Sequence, residues 1–204
     1  TFERCTFTGN GGSSEGGVIR VQKGSLLTVN DSVFVSNEGS RGAAIALQED
    51  CVLTIDGSLF VDNHSSEDGG VIWSRRRSDF TITNSRFYRS STQMRGGVAY
   101  ADHPASLVLR GNLFCDSSST SSGGVVAVNN SCCAEPGPWE VTNNVFVGST
   151  SGDGTELYTE DENPIVGRNN HLLGAGLGTG LVDQRGGQPL YGNLLASYAV
   201  GADS

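Results

Sequence analysis

The sequence lacks the patterns that support a helical or membrane-spanning fold. No stretch shows the sustained 3.6-residue periodicity of an amphipathic helix. No apolar run approaches the roughly 20 residues that a transmembrane helix requires. Apolar residues make up only 36% of the chain, which is low for an ordinary globular domain. The protein is therefore expected to be all-β and to have no transmembrane segment.

Positive charge is also scarce. Lys23 is the single lysine, the formal net charge is −9 and the isoelectric point is about 4.7. A nucleic-acid partner is not expected for a chain with this charge. An initiator methionine and a signal peptide are missing as well, and Thr1 already stands within a repeat. We expect a processed or excised chain, or an open amino end that a neighbouring domain or another copy covers.

What the sequence does contain is a repeat marked twice. Phenylalanines recur at intervals of 27, 26, 27, 27 and 32 residues, at Phe7, Phe34, Phe60, Phe87, Phe114 and Phe146. A pair of small residues follows each of the first five, at Gly16-Gly17, Gly42-Ala43, Gly69-Gly70, Gly96-Gly97 and Gly123-Gly124. Two independent markers with one period are strong evidence for a repeat array.

Each repeat contains three short segments with the alternation and β-branched residues of strands. The segments predict a right-handed parallel β-helix, a β-solenoid with three short strands per coil of about 27 residues and about seven coils. The chain is expected to form a single domain over residues 1–204. Regular coils cover residues 1–150, and a degenerate coil and carboxy-terminal closure cover residues 151–204.

Equivalent positions of successive coils should stack as ladders of like side chains. Three inward ladders are predicted: the phenylalanines, then Leu27, Leu53, Phe80, Leu107 and Trp139, then Ile19, Ile45, Ile72, Ala99 and Val126. An outward row is predicted on the first strand of each coil: Val18, Arg20, Ala44, Ala46, Val71, Trp73, Val98, Tyr100, Val125 and Ala127.

The outward row is the main candidate for a binding surface. Trp73 should lie directly beneath Tyr100, and Arg75, Arg76 and Arg77 add charge at one edge. An exposed apolar stripe with an aromatic pair suggests a sugar ring or a partner protein as ligand. The alternative is that a neighbouring loop or a flanking chain covers the row.

Two short motifs carry a resemblance to known families. Gly69-Gly70-Val71-Ile72 and the Phe-x-x-Asn segments that start at Phe7, Phe34 and Phe60 resemble the GGAI and FxxN tetrapeptides of polymorphic outer-membrane protein repeats. The segment 183–186, followed by 198–202, resembles the closing segment of choice-of-anchor bacterial surface β-helices. The resemblance implies a secreted or surface-displayed β-helix, often adhesive.

Catalytic signals are weak. The outward row contains no carboxylate, whereas glycoside hydrolysis uses two opposed ones. His64, His103 and His171 fall in different turns and are expected to be solvated. The acidic stretch 153–162 matches no calcium loop and is also expected to be solvated. No enzymatic activity, metal or cofactor is therefore predicted.

The function predicted from the sequence is that of an extracellular or cell-surface module. It is adhesin-like and binds a glycan or a protein through its side face. A structural subunit of an extracellular filament or coat is the alternative, and a polysaccharide-degrading enzyme comes third because this architecture also serves pectinolytic enzymes.

Possible covalent modifications complete the candidates. The interval from Phe114 to Phe146 is lengthened by an enlarged turn at 129–138, and a disulfide from Cys115 to Cys132 or Cys133 is predicted there. Sequons place candidate glycans on Asn30, Asn63 and Asn129.

Overall fold

Short strands recurring once per repeat pair in parallel to build a β-solenoid. The computed structural model describes residues 1–129, 139–152, 156–159, 165–173 and 182–184, and no helix occurs among them. Four parallel sheets run along the axis, three with seven strands each and one with four. The predicted fold class is confirmed: an all-β solenoid of about six turns, with coils roughly 27 residues apart. The handedness of the coil stays a prediction.

The sheets are named by their place in each coil. The first-strand sheet comprises Ile19–Val21, Ile45–Leu47, Ile72–Ser74, Ala99–Asp102, Val126–Asn129, Leu157–Thr159 and Val182–Gln184. The second-strand sheet comprises Phe2–Glu3, Leu26–Asn30, Val52–Asp56, Asp79–Thr83, Ser106–Arg110, Trp139–Thr142 and Ile165–Arg168. The phenylalanine sheet comprises Thr6–Thr8, Val33–Val35, Leu59–Val61, Arg86–Tyr88, Leu113–Cys115, Val145–Val147 and His171–Leu173.

A fourth, narrow sheet was not anticipated by the repeat pattern. This corner sheet comprises Glu38–Gly39, His64–Ser65, Ser91–Thr92 and Ser118–Ser119. Its strands contain only two residues, which is too short for an alternation of apolar and polar side chains to be visible in the sequence.

The phenylalanine ladder is the centre of the core. Successive rings from Phe7 to Phe146 stack with centroids 4.7 to 5.2 Å apart and with interplanar angles of 4° to 22°. This separation follows the spacing of neighbouring strands in a sheet. Phe34 to Phe146 are fully buried, and Leu172 continues the column beyond Phe146. The two other predicted inward ladders are also in register and buried, apart from the partly buried Ile19.

A polar ladder satisfies the buried backbone at the corner before the phenylalanine sheet. The side chain of Ser58 accepts a hydrogen bond of 3.1 Å from the backbone N–H of Ser32, one coil earlier. The same bond, at 2.9 to 3.1 Å, is repeated along the column of Cys5, Ser32, Ser58, Ser85, Asn112, Asn144 and Asn170. Buried N–H groups without a partner are costly, so this corner requires a short side chain with an acceptor oxygen.

The glycine pairs are required by close backbone contacts. Gly69 has φ +68°, a left-handed conformation in which a side chain is strained. A Cβ on Gly70 would overlap the carbonyl oxygen of Gly97 in the next coil. The two glycines therefore serve different needs, one for the turn within a coil and one for the stacking of coils.

One part of the predicted outward row was wrong. Val71, Val98 and Val125 are no more than 1% exposed and belong to the main core, and so does the equivalent Ala44. The partly buried Val18 packs against the same core. The carbonyl oxygen of Val98 accepts hydrogen bonds from two consecutive residues, Val71 and Ile72. The chain bends at this corner, so the side chains of adjacent residues such as Val71 and Ile72 both point inward. The alternation of inward and outward side chains begins at the second of them.

Candidate binding face

The predicted aromatic pair is formed but is not exposed. Trp73 pairs with Tyr100 in register, and Arg20, Ala46 and Ala127 belong to the same outward row. Trp73 is 5% exposed and Tyr100 is 4% exposed. The prediction of an exposed apolar stripe was therefore wrong.

Arginine side chains from the same and the preceding coil cover the two rings. The guanidinium carbons of Arg41 and Arg75 lie 5.4 and 5.6 Å from the centroid of the Trp73 ring. The guanidinium carbon of Arg95 lies 4.3 Å from the centroid of the Tyr100 ring. Cation–π attraction holds such arrangements, and the aliphatic parts of the arginines exclude water from the rings.

Two of the covering side chains, Arg41 and Arg95, belong to a column of alternating charge. The column contains Glu15, Arg41, Asp68 and Arg95, each directly before the positive-φ glycine of its coil. Arg95 makes two hydrogen bonds to Asp68, of 3.0 and 3.1 Å. Arg41 lies 3.5 Å from Glu15 and pairs more closely with Glu67, at 2.6 Å. Opposite charges one coil apart thus stabilise each other along the axis.

Tyr100 is held in its neutral form beneath this cover. Burial raises the pKa of its phenol to about 12, although the nearby Arg95 charge and a hydrogen bond with Asn129 act in the opposite direction. The ring therefore contributes packing and a π face at physiological pH, and no charge.

Three guanidinium groups converge on one carboxylate at this face. Glu15 lies 3.2 Å from Arg20, 3.5 Å from Arg41 and 3.8 Å from Arg75. Gln48 donates a further hydrogen bond of 3.0 Å to Glu15. Among the arginine side chains, Arg20 is 50% exposed and Arg75 is 46% exposed. The cluster of Arg20, Arg41, Arg75 and Glu15 is termed the arginine cluster.

Not all predicted site residues join the arginine cluster. Arg76 lies 3.9 Å from Asp102. Arg77 makes hydrogen bonds of 2.5 and 2.9 Å to Asp50. The Arg77 guanidinium lowers the pKa of the Asp50 carboxyl. Of the three consecutive arginines, Arg75 contacts Trp73 and Glu15, while Arg76 and Arg77 pair with Asp102 and Asp50.

The outer face of the phenylalanine sheet was missed by the sequence analysis. Its strands read Val33-Phe34-Val35, Leu59-Phe60-Val61, Leu113-Phe114-Cys115 and Val145-Phe146-Val147, with apolar residues on both sides of the ring. The flanking side chains are partly exposed. A half-exposed strand should alternate apolar and polar residues, so these uninterrupted triplets were the available signal.

The covalent candidates have different outcomes. Asn63 is fully buried and its amide nitrogen donates to the carbonyl oxygens of Phe34 and Val61. A glycan cannot be accommodated there, so Asn63 was wrong as a glycosylation site. Asn30 and Asn129 remain predictions. Cys115 is a free thiol, which does not support its predicted disulfide, and Cys132 and Cys133 lie outside the described residues.

Two residues expected in solvent are buried. His103 is 9% exposed and lies 2.8 Å from Asp102. Glu156 is 3% exposed. His64 is partly buried and lies 2.9 Å from Ser91, while His171 is exposed. Within the described ranges there is no group of three or more residues that could hold a metal ion.

Comparison with protein-family models, curated proteins and solved structures found no match to this chain. The parallel β-solenoid is consistent with a β-helix repeat, while the resemblance to polymorphic outer-membrane protein and choice-of-anchor repeats stays a prediction. Among the described residues, no helix has the length and hydropathy needed to cross a membrane.

Proposed function

We propose that the protein is a non-enzymatic, adhesin-like β-helix module, extracellular or at a cell surface, that binds an acidic glycan through its first-strand face. The observation that carries the proposal is the arginine cluster, in which three guanidinium groups surround one carboxylate. Guanidinium groups match the geometry of carboxylates and sulfates closely. A uronate or sulfate group of a ligand can take the position that Glu15 occupies in the free protein.

The geometry of the face favours an extended ligand. Arg20, Arg41, Arg75 and Arg95 come from four successive coils, which are spaced by about 4.8 Å along the axis. The rings of Trp73 and Tyr100 fix the direction of three of these side chains, which lowers the conformational entropy lost on binding. Four arginines stand against three carboxylates on this face, Glu15, Glu67 and Asp68, in a protein with a net charge of −9.

The proposal is tested by binding of the protein to a panel of polysaccharides. Polygalacturonate and heparin serve as acidic probes, and dextran serves as the neutral control. We expect binding to the acidic probes alone, with an affinity that falls as salt is raised. The double variant Arg20→Gln, Arg75→Gln should reduce affinity at least about tenfold, equivalent to 1.4 kcal/mol.

Arginines on another face provide a matched control. Arg110→Gln, Arg168→Gln removes the same charge from the second-strand sheet, outside both the first-strand face and the outer face of the phenylalanine sheet. Equal losses in both double variants would mean that net charge alone drives binding. Failure to bind either acidic polysaccharide would refute the proposal, and binding of polyglutamate alone would identify an acidic protein segment as the ligand.

The alternative function is a structural subunit that joins laterally to other subunits in an extracellular filament or coat. The apolar outer face of the phenylalanine sheet favours this alternative, because it lies on a different side of the coil from the arginine cluster and offers a second contact surface. The two functions make separate demands on the molecule and can coexist.

A further inference from the structure

We propose that the outer face of the phenylalanine sheet is a self-association surface that pairs with the same face of a second copy of this chain. The outward side chains form two columns on either side of the phenylalanine ladder. One column contains Thr6, Val33, Leu59, Arg86, Leu113, Val145 and His171. The other contains Thr8, Val35, Val61, Tyr88, Cys115, Val147 and Leu173.

These columns are more apolar than a solvent-facing sheet requires. Polar residues are confined to the first strand, to Arg86, to the hydroxyl of Tyr88 and to the terminal His171. The inward side of the same strands is already complete, because Phe34 to Phe146 are fully buried. The outward aliphatic residues are therefore not needed to build the coil's own core.

The shape of the face argues for a second copy as its occupant. The five inner strands already pair with neighbours on both sides within the sheet, so a peptide cannot add to the middle of it as an extra strand. Tyr88 is the only aromatic residue in the two columns, and the columns offer few hydrogen-bond donors for a sugar. A flat sheet is instead complementary to another flat sheet, and two such faces pack about 10 Å apart.

The size of the face sets the strength of the pairing. Seven strands spaced by about 4.8 Å give a length of about 34 Å. Three strand residues and one flanking residue on each side give a width of about 17 Å. Two copies would bury roughly 1,100 Å² together, at the lower end of specific interfaces. We therefore expect a reversible pair and not an obligate dimer.

Arg86 limits the affinity in a way that can be measured. Its strand is the fourth of seven, so a two-fold axis through the middle of the face brings two Arg86 side chains close together. Like charges at this distance repel each other. Arg86→Leu should therefore strengthen the pairing, which a merely exposed arginine would not do.

Sedimentation equilibrium from about 1 µM to about 1 mM tests the proposal with the whole chain. The average mass should rise from 21.3 kDa towards twice that value. Val61→Lys, Leu113→Lys should weaken association at least about tenfold. The control Thr54→Lys, Val108→Lys adds the same charges to the same two coils, but on the second-strand sheet. This control should leave the self-association unchanged.

Cys115 supplies a second readout on the unmodified protein. Its thiol is free and partly exposed on the proposed interface, whereas the free thiol of Cys51 is buried in the core. Alkylation of Cys115, followed by mass spectrometry, should slow as concentration rises while that of Cys51 does not change. A monomer across the whole range, equal weakening in both lysine variants, or no gain from Arg86→Leu would overturn the proposal. Loss of glycan binding would not affect it, because the arginine cluster lies on another face.

Discussion

Glu156 provides a sharp prediction because a carboxyl group stands in an apolar ladder. The carbonyl oxygen of Glu156 accepts hydrogen bonds from Val125 and Val126, at 2.9 and 3.0 Å. The carbonyl of Val125 accepts from Val98 and Ala99 in the same way. Glu156 therefore occupies the slot that Val71, Val98 and Val125 fill in earlier coils, and it is equally buried at 3% exposure.

Burial without compensation perturbs this carboxyl group. Among the described residues, its buried Oε1 atom has no hydrogen-bond partner. Burial raises the pKa of Glu156 from 4.5 to about 7. At about 1.4 kcal/mol for each pH unit, ionisation of the folded state costs about 3 kcal/mol.

The direction of the pH dependence follows from the raised pKa. Between pH 4.5 and 7 the folded state retains a proton that the unfolded chain has lost, so stability falls as pH rises. The stability of the fold with protonated Glu156 is fully present below pH 4.5 and is lost as the pH rises through 7. Hydrogen bonds from Arg89 and Thr83 lower the pKa of Asp62 and Asp56, respectively. These two carboxyls therefore make the free energy of unfolding rise with pH, and they do so at lower pH than Glu156.

Urea denaturation from pH 4.5 to 8 measures this effect. Glu156→Val should remove about 3 kcal/mol of pH dependence and should stabilise the protein at pH 8. Glu156→Gln separates charge from shape, because it removes the ionisation while keeping a polar group in the slot. Circular dichroism should be combined with hydrogen exchange at Val125 and Val126, since the ends of solenoids can open locally. If the free energy of unfolding of wild type and of Glu156→Val depended on pH in the same way, the reasoning would be refuted.

Two further predictions concern the core. Phe60→Ala should reduce the free energy of unfolding by about 3–5 kcal/mol, because Phe34 and Phe87 stack on it at 4.8 and 4.7 Å; an unchanged urea midpoint would contradict the phenylalanine ladder. Gly70→Ala should lower the melting temperature, because the new Cβ would overlap the carbonyl oxygen of Gly97; the control Gly24→Ala, where a Cβ meets open space but φ is +71°, should show the smaller cost of backbone strain alone.

The sequence predicted the fold because the fold is repetitive. Phenylalanine returns at the Phe60 position in six successive coils. Glycine returns at the Gly70 position in four of five coils, with Ala43 in the other. The spacing of these residues reveals the architecture. The polar column from Ser32 to Asn170 has the same origin, since one corner position repeatedly carries a small polar side chain.

The exposure of the candidate site could not be predicted in the same way. Whether Trp73 meets solvent depends on whether two arginine side chains fold back over its ring: Arg41 from the preceding coil and Arg75 from the same coil. These contacts are a property of the folded side chains and not of one position. The alternating charges before the glycine pairs were present in the sequence as Glu15, Arg41, Asp68 and Arg95. That these charges form ion pairs is visible once the coils are stacked.

Titration of Glu15→Gln with polygalacturonate tests the central claim most directly. If Glu15 occupies the position of a ligand carboxylate, its removal should free Arg20 and Arg75, while Arg41 stays paired with Glu67. Binding should tighten by about three- to tenfold, equivalent to about 0.6–1.4 kcal/mol. Glutamine keeps the size of the side chain and an acceptor for Gln48, so the face should stay folded. Unchanged or weaker binding, with the circular dichroism of the β-helix intact, would contradict the claim that the arginine cluster is a site for acidic ligands.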